Sequence, residues 1–313
     1  MPDTVADSTS SVQTLLSPDF LRRLDRLDVL SRKVLQGKLR GERRSKQRGR
    51  SVEFADYRNY VHGDDPRFID WNLYARLDRL FIRLFMEEQD LSVSILVDAS
   101  ASMSHVSPGE YGATGGATGE SKALSKLDYA RRVAAALAYI GLVHYNRVNV
   151  FAFRDTLHAA LINQRGRRPV PRVLDFLARL QSQPGPGDLV RVMRRYALTQ
   201  RGKGVVVVIS DLLDKGDVDE ALKYLLGDRY DVFVIHLLSP EELQPQRAGF
   251  VGDLRLRDVE DEDMTEVSVT PALLKRYQAR LDDWCESMRK TCLRRGAAYL
   301  RSDTSVAFDE LVL

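Results

Sequence analysis

An apolar stretch of the sequence, SVSILVDASASM (92–103), ends in three oxygen-bearing side chains at alternate positions. Asp98, Ser100 and Ser102 bring a carboxylate and two hydroxyls to one tight turn. Oxygen-only donor sets suit a hard cation such as Mg2+, which demands near-octahedral geometry and retains several waters. A second apolar stretch, VVVVISD, ends in Asp211 in the same way. If the two stretches are adjacent parallel strands, both carboxylates face one crevice, where open α/β sheets bind ligands.

The same residues also admit other interpretations. Asp98 is compatible with a helix cap, and the two serines with turn formation. An apolar strand ending in Asp also begins the haloacid-dehalogenase phosphatase motif, but that chemistry needs a second Asp where this chain has Ser100. The sequence contains no Gly-x-x-x-x-Gly-Lys-[Ser/Thr] phosphate loop, Gly-x-Ser-x-Gly elbow or His-Glu-x-x-His pair. We therefore expect a non-enzymatic protein, with a metal-dependent phosphohydrolase as the less favoured alternative.

Strands and helices alternate from residue 91 onward, which predicts a mainly parallel sheet covered on both faces. The predicted strands are 91–97, 147–153, 205–210, 231–238 and 297–301. The predicted helices are 126–144, 170–181, 188–199, 217–226 and 271–295. Residues 157–162 follow the preceding strand too closely for a helical crossover, so we expect an antiparallel hairpin partner there. The fold class is α/β, doubly wound, with a small β-rich subdomain.

The composition of the flanking segments suggests how the chain is divided. The predicted parts are a disordered tail (1–16), an N-terminal helix and β-rich segment (17–90), the α/β domain (91–239 and 271–313) and a β-rich insertion (240–270). We expect the insertion to pack with residues 38–90, because its acidic run DVEDED is opposite in charge to a basic run there. The Gly-rich segment 104–121 is either a partner-contacting loop or a tolerated insertion.

The charge of the chain gives a second candidate partner. The 313 residues carry a net charge of only +3, but residues 38–50 contain seven Lys or Arg and one acid. Such a cluster can neutralise several phosphates, so nucleic-acid binding is an alternative function, although no recognisable nucleic-acid fold accompanies it. The N-terminus lacks the order of a signal peptide, and no apolar run reaches the roughly 18 residues of a membrane span. We therefore expect a cytoplasmic protein.

The segment DASAS resembles the Asp-x-Ser-x-Ser motif of von Willebrand factor A-like domains, which form a metal-ion-dependent adhesion site. The resemblance implies a von Willebrand factor A-type sheet with Mg2+ or Mn2+ at its edge. It also implies that Ser100 and Ser102 contact the metal directly and that Asp98 and Asp211 act through water. One coordination position would then remain open for an acidic side chain of a client protein.

One loop departs from the pattern of that family. The resemblance implies a Thr from a third loop, and the corresponding segment here is PGPGDL, with Gly187 at the expected position and Asp188 next to it. Asp188 is a candidate for an additional metal donor or for a helix cap. Without the Thr, we expect weak metal binding unless a partner supplies another oxygen.

Residues 49–89 resemble a second family, the domain of unknown function numbered fifty-eight. The resemblance is carried by the run GDDPRFIDW and its surroundings. The signature residues are Arg58, Tyr60, Gly63, Asp64, Asp65, Arg67, Asp70, Trp71 and Arg76. We expect Arg58, Arg67, Asp70 and Arg76 to form a buried ion network, and Trp71 and Tyr74 to pack. The resemblance implies an adaptor that acts with a MoxR-type AAA+ ATPase in the assembly or activation of other complexes.

Overall fold

The computed structural model describes residues 15–26, 54–85, 92–104, 124–200, 202–214, 216–225, 229–246, 250, 252–258 and 264–312. The chain forms two compact units, one made of residues 1–28 and 91–313 and the other of residues 29–90. The predicted basic segment 38–50 lies outside the described residues, as do nearly all of the predicted tail 1–16 and the Gly-rich segment 104–121.

The larger unit is built on a six-stranded sheet, which confirms the predicted α/β class. Its strands are β3 (Ser92–Asp98), β4 (Arg147–Phe153), β5 (Leu157–Gln164), β6 (Gly204–Ser210), β7 (Tyr230–Leu238) and β10 (Ala298–Asp303). They lie in the order β10-β7-β6-β3-β4-β5. All neighbours are parallel except β5, which pairs antiparallel with β4 as the short connection predicts. Every residue of β6 is buried, as a strand covered on both faces requires.

Helices flank this sheet and cover its apolar faces. They are α1 (Pro18–Arg26), α3 (Lys126–Val143), α4 (Val170–Ala178), α5 (Leu189–Thr199), α6 (Val218–Leu225), α7 (Pro240–Leu243), α8 (Pro271–Arg294) and α9 (Phe308–Val312). On one face, Leu96 of β3 and Phe151 of β4 belong to the same core cluster as Met193 and Tyr196 of α5. Among the described helices, none is both long and apolar enough to cross a membrane.

The N-terminal helix belongs to the larger unit. The rings of Phe20 in α1 and Phe308 in α9 pack edge to face with centroids 5.0 Å apart, and Arg23 forms an ion pair with Asp309 at 2.9 Å. The boundary between the units therefore follows residue 28, whereas the composition groups the N-terminal helix with the β-rich segment in residues 17–90. Contacts between residues distant in sequence place α1 in the larger unit, and a local sequence pattern does not reveal such contacts.

The insertion between β7 and α8 contains a two-stranded antiparallel hairpin, β8 (Gly252–Arg257) and β9 (Met264–Val269). The alternating sequences DLRLR and TEVSVT predict these strands. The hairpin belongs to the larger unit. Its predicted packing with residues 38–90 stays a prediction.

The smaller unit contains β1 (Phe54–Asn59) paired antiparallel with β2 (Phe81–Phe85), with a short 3-10 turn and the helix α2 (Trp71–Leu77) between them. Ile69 and Ile82 are buried and form an isolated β-bridge. Trp71 and Tyr74 pack as expected, but at the surface, because they are 61% and 40% exposed. The helix has only two turns, and its two aromatic rings pack against each other edge to face.

Candidate metal centre

The predicted metal residues lie where the connections of the sheet diverge. From β3 the chain continues to β4 on one side, while β6 pairs with β3 on the other. Such a switch point leaves a crevice at the carboxyl ends of the strands. Asp98 is the last residue of β3, Ser210 is the last residue of β6, and Asp211 follows it. The fold therefore brings the two predicted carboxylates to one edge of the sheet.

Asp98 is held in place by hydrogen bonds from both strand ends. Its Oδ1 accepts from the backbone N–H of Ser100 at 2.9 Å, and its Oδ2 accepts from Oγ of Ser210 at 2.5 Å. Burial, and secondly the charge of Asp211, raise the pKa of Asp98 to about 7. The ionised form of this buried carboxyl is therefore costly until a cation approaches.

The two serines of the motif lie side by side. Oγ of Ser100 and Oγ of Ser102 are 3.0 Å apart, and Ser102 lies in the 3-10 turn Ala101–Ser104 that follows Ser100. Ser100 is buried and Ser102 is half-buried. Two adjacent hydroxyl oxygens, each with lone pairs, are suitable donors for one cation.

A small recess opens at this edge, with a cavity volume of about 10 Å3. That is space for roughly one water-sized particle. Its lining includes Asp98, Ser100, Arg154, Gly187, Asp211 and Asp214. Ser102 and Asp188 are not part of the lining, although Ser102 contacts Ser100.

Lys126 is a functional candidate that sequence reasoning missed. Its side chain is 1% exposed, and its Nζ donates to Oδ2 of Asp211 at 2.7 Å and to Oε1 of Glu242 at 2.6 Å. Burial disfavours the charged ammonium, but the two carboxylates outweigh that effect and raise the pKa of Lys126. Lys126 opens α3 directly after the cap Ser125. A cation in the first turn opposes the helix dipole, and this local conflict could have indicated a specific anionic partner.

The third loop brings Gly187 to the recess, and the carboxylate beside it comes from the loop after β6. Asp188 caps α5, because its Oδ1 accepts from the backbone N–H of Arg191 at 2.8 Å. Gly187 lines the recess, and a Cβ added to it would lie 2.8 Å from Oδ2 of Asp214. Asp214 was not predicted, because it lies three residues beyond the recognised strand end and matches no motif.

The donor chemistry of this edge fits a hard divalent cation. The oxygens come from Asp98, Ser100, Ser102 and Asp211, and the set contains no sulfur or imidazole ligand. Within the described residues, no three His, Cys, Asp or Glu side chains are grouped so that they could hold a metal ion. Binding here therefore depends on the serine hydroxyls and on retained waters as well as on carboxylates.

Arg154 also lines the recess and was not predicted. Its guanidinium donates to the carbonyl of Pro184, and its Nη2 lies 2.7 Å from Oδ1 of Asp155. Arg154 therefore has an acidic partner and is held at the rim by backbone and side-chain contacts.

The signature residues of the smaller unit form local ion pairs instead of one buried network. Arg58 pairs with Asp64 at 2.7 Å, and Arg67 pairs with Asp65 at 2.7 Å. Asp70 is the centre of the remaining contacts. The backbone N–H of Tyr60 donates to the carbonyl of Leu80, and Gly63 lies in the left-handed region with φ of +99°. Trp71 is the first residue of α2. Arg76 forms no ion pair with any described residue.

Asp70 joins the strands of the smaller unit to its helix. Its Oδ1 accepts from the backbone N–H groups of Asn72 and Leu73, while its Oδ2 accepts from Tyr57 at 3.0 Å and Arg83 at 2.9 Å. Arg83 was not predicted as its partner. All the acceptor positions of Asp70 serve the local fold, which supports the structural interpretation over an acid–base role.

Comparison with known proteins finds relatives of this chain in mycobacteria. The chain is 26% identical over 258 residues to the uncharacterized protein Rv1480 of Mycobacterium tuberculosis, covering 82% of this chain and 76% of that protein. The uncharacterized protein Mb1516 of Mycobacterium bovis matches to the same extent.

Two solved structures are also similar. BatB from Bacteroides thetaiotaomicron matches with a TM-score of 0.41 and 16% identity over 68% of this chain and 90% of that chain. The SpRpn10 VWA domain matches with a TM-score of 0.37 and 10% identity over 71% of this chain and 93% of that chain. The family model described as "Protein of unknown function DUF58" matches residues 56–287, a span that includes the signature residues and the candidate metal centre. The chain belongs to this DUF58 family, and its larger unit is built on a mainly parallel six-stranded sheet.

Proposed function

We propose that the larger unit binds a divalent cation, Mg2+ or Mn2+, at the carboxyl ends of β3 and β6, and through it an acidic side chain of another protein. One observation carries this proposal. Asp98 and Asp211 line one recess together with Ser100, at the switch point of a parallel sheet. No catalytic nucleophile or phosphate loop accompanies these residues in the sequence. Binding is therefore a better assignment than catalysis.

The residues of the centre have separable roles in this proposal. Ser100 and Ser102 contact the metal, while Asp98 and Asp211 act through water and balance its charge. The cation supplies an open coordination position that attracts a carboxylate. Desolvation of the contact makes it much stronger than an exposed ion pair.

The second part of the proposal concerns the partner. What the resemblance in residues 49–89 implies is a cytoplasmic adaptor role beside a MoxR-type AAA+ ATPase, and the family match includes most of that segment. The adaptor presents the ATPase to a client protein that offers an acidic side chain. ATP hydrolysis belongs to the ATPase, because this sequence has no phosphate loop.

The test compares metal binding and partner binding in one set of variants. Mg2+ binding to wild type, Asp98→Asn and Ser102→Ala is measured by calorimetry, and binding of each protein to the purified ATPase is measured with Mg2+ or with chelator. We expect both variants to lose Mg2+ affinity and metal-dependent partner binding. Asp175→Asn, in an exposed pair with Arg179, is the matched control and should behave as wild type. Partner binding that is insensitive to chelator and to Asp98→Asn would place the contact elsewhere, and wild type without Mg2+ affinity would refute the metal centre.

A further inference from the structure

Asp214 is a partly buried carboxylate in the recess, and among the described residues its hydrogen bonds come from the backbone. Its Oδ2 accepts from the backbone N–H of Leu189 at 2.8 Å, and its Oδ1 accepts from that of Gly216 at 2.5 Å. No cationic side chain among the described residues forms an ion pair with it. A carboxylate has about four lone-pair positions, so each oxygen can still accept another partner. A partly buried anion in this situation favours a nearby cation.

The position of this carboxylate coincides with the space of a missing side chain. A Cβ on residue 187 would lie only 2.8 Å from Oδ2 of Asp214, which is closer than real Cβ contacts. A threonine at 187 would therefore compete with Asp214 for one volume. Because Gly187 has no side chain, that volume holds a carboxylate oxygen that comes from the loop after β6.

The other two carboxylates of the recess are already engaged. Oδ2 of Asp211 is paired with Lys126 at 2.7 Å, and its Oδ1 accepts from Leu213. Oδ2 of Asp98 accepts from Ser210. Asp214 thus differs from both, since its described partners are backbone N–H groups alone.

We propose that Asp214 supplies the metal donor that residue 187 does not. This inference rests on the metal-binding function proposed above and adds a residue to that site. The donor set then contains a carboxylate in place of a hydroxyl, which raises its negative charge and its affinity for a hard divalent cation. The site binds its cation in the free protein, before any partner contributes an oxygen.

Calorimetric titration of Mn2+ into the full chain tests this assignment. Asp214→Asn keeps the shape of the side chain and should weaken Mn2+ binding by about tenfold or more. Asp188→Asn is the matched control, because Asn caps a helix as well as Asp does and the variant removes the same charge one residue from Gly187. It should bind Mn2+ as wild type does. Equal affinity of Asp214→Asn and wild type would overturn the inference and leave Asp214 as a loop cap.

A residue swap tests whether positions 187 and 214 share one donor position. Gly187→Ala should weaken Mn2+ binding, because the new Cβ displaces the carboxylate without removing it. Gly187→Thr combined with Asp214→Ala should regain much of the affinity that Asp214→Ala loses, since the hydroxyl enters the vacated volume. If the double variant loses as much Mn2+ affinity as the two single variants together, residues 187 and 214 do not share one donor position. If wild type and Asp98→Asn alike fail to bind Mn2+, the metal centre itself is wrong, a result distinct from failure at Asp214.

Discussion

Nζ of Lys126 lies 2.7 Å from Oδ2 of Asp211, and neither side chain is more than 2% exposed. The same ammonium is shared with Glu242, whose Oε2 closes the capping box of α7 by accepting from the backbone N–H of Ser239. One buried cation therefore ties together the start of α3, the end of β6 and the start of α7. The pair orients Asp211 at the edge of the recess.

Removing this cation is expected to destabilise the protein strongly. Lys126→Met should lower the free energy of unfolding by about 3–5 kcal/mol, because Asp211 is left as a buried carboxylate without its partner. Urea denaturation at pH 7 measures the change. Glu242→Gln should cost less, since Glu242 is partly exposed and Lys126 retains Asp211. If both variants lower the free energy of unfolding by the same small amount, the buried pair of Lys126 and Asp211 does not stabilise the protein as its burial predicts.

Gly204 is required by a close approach of two central strands. It opens β6 opposite Ser92 of β3, and an added Cβ would lie 2.0 Å from the carbonyl oxygen of Ser92. Gly204→Ala should lower the free energy of unfolding by about 3 kcal/mol or more, because rigid backbone cannot move aside cheaply. Lys203→Ala, an exposed neighbour, should change it by no more than about 0.5 kcal/mol. Thermal unfolding of the two variants gives the comparison, and similar melting temperatures would contradict the packing argument.

The smaller unit should lose stability in acid through Asp70. The hydrogen bond from Arg83, opposed by burial, holds the pKa of Asp70 far below its ordinary value of 3.8. A carboxyl with a depressed folded pKa contributes stability above its unfolded pKa and loses that contribution as the pH falls below it. Hydrogen exchange in residues 70–78 should thus be faster in Asp70→Asn than in wild type at pH 6. The difference should shrink when both proteins are compared at pH values under about 4. If the difference in exchange rate between Asp70→Asn and wild type is the same at both pH values, protonation of Asp70 does not control the stability of this unit.

The two thiols should be unreactive while the protein is folded. Cys285 and Cys292 are free and buried in α8, and burial raises the pKa of Cys292 to about 11. The thiolate is the reactive species, so alkylation by iodoacetamide at pH 8 should be much slower in the native protein than in urea. Mass spectrometry of the labelled peptides distinguishes the two sites. Rapid native labelling of Cys292 would mean that α8 opens readily from the sheet.

Several features were predictable because they depend on short-range patterns. The run VVVVI predicts a strand buried on both faces, and the order of strands and helices predicts a parallel sheet. The short gap between residues 153 and 157 predicts the antiparallel partner β5. The contact that holds α1 in the larger unit has no local signal in the sequence, because Phe20 contacts Phe308 across nearly the whole chain.

The candidate metal centre shows the same division between local and distant information. Types and spacing alone determined that Asp98, Ser100 and Ser102 share a turn and that Asp211 follows a second strand, because strand ends and turns are local. Only the tertiary structure decided that Lys126 neutralises Asp211 and that Asp214 fills the space beside Gly187. Lys126 is 85 residues from Asp211, and Oδ2 of Asp214 accepts from the backbone N–H of Leu189, which is 25 residues away. Side chains that meet through the packing of separate elements leave no spacing in the sequence by which they can be paired.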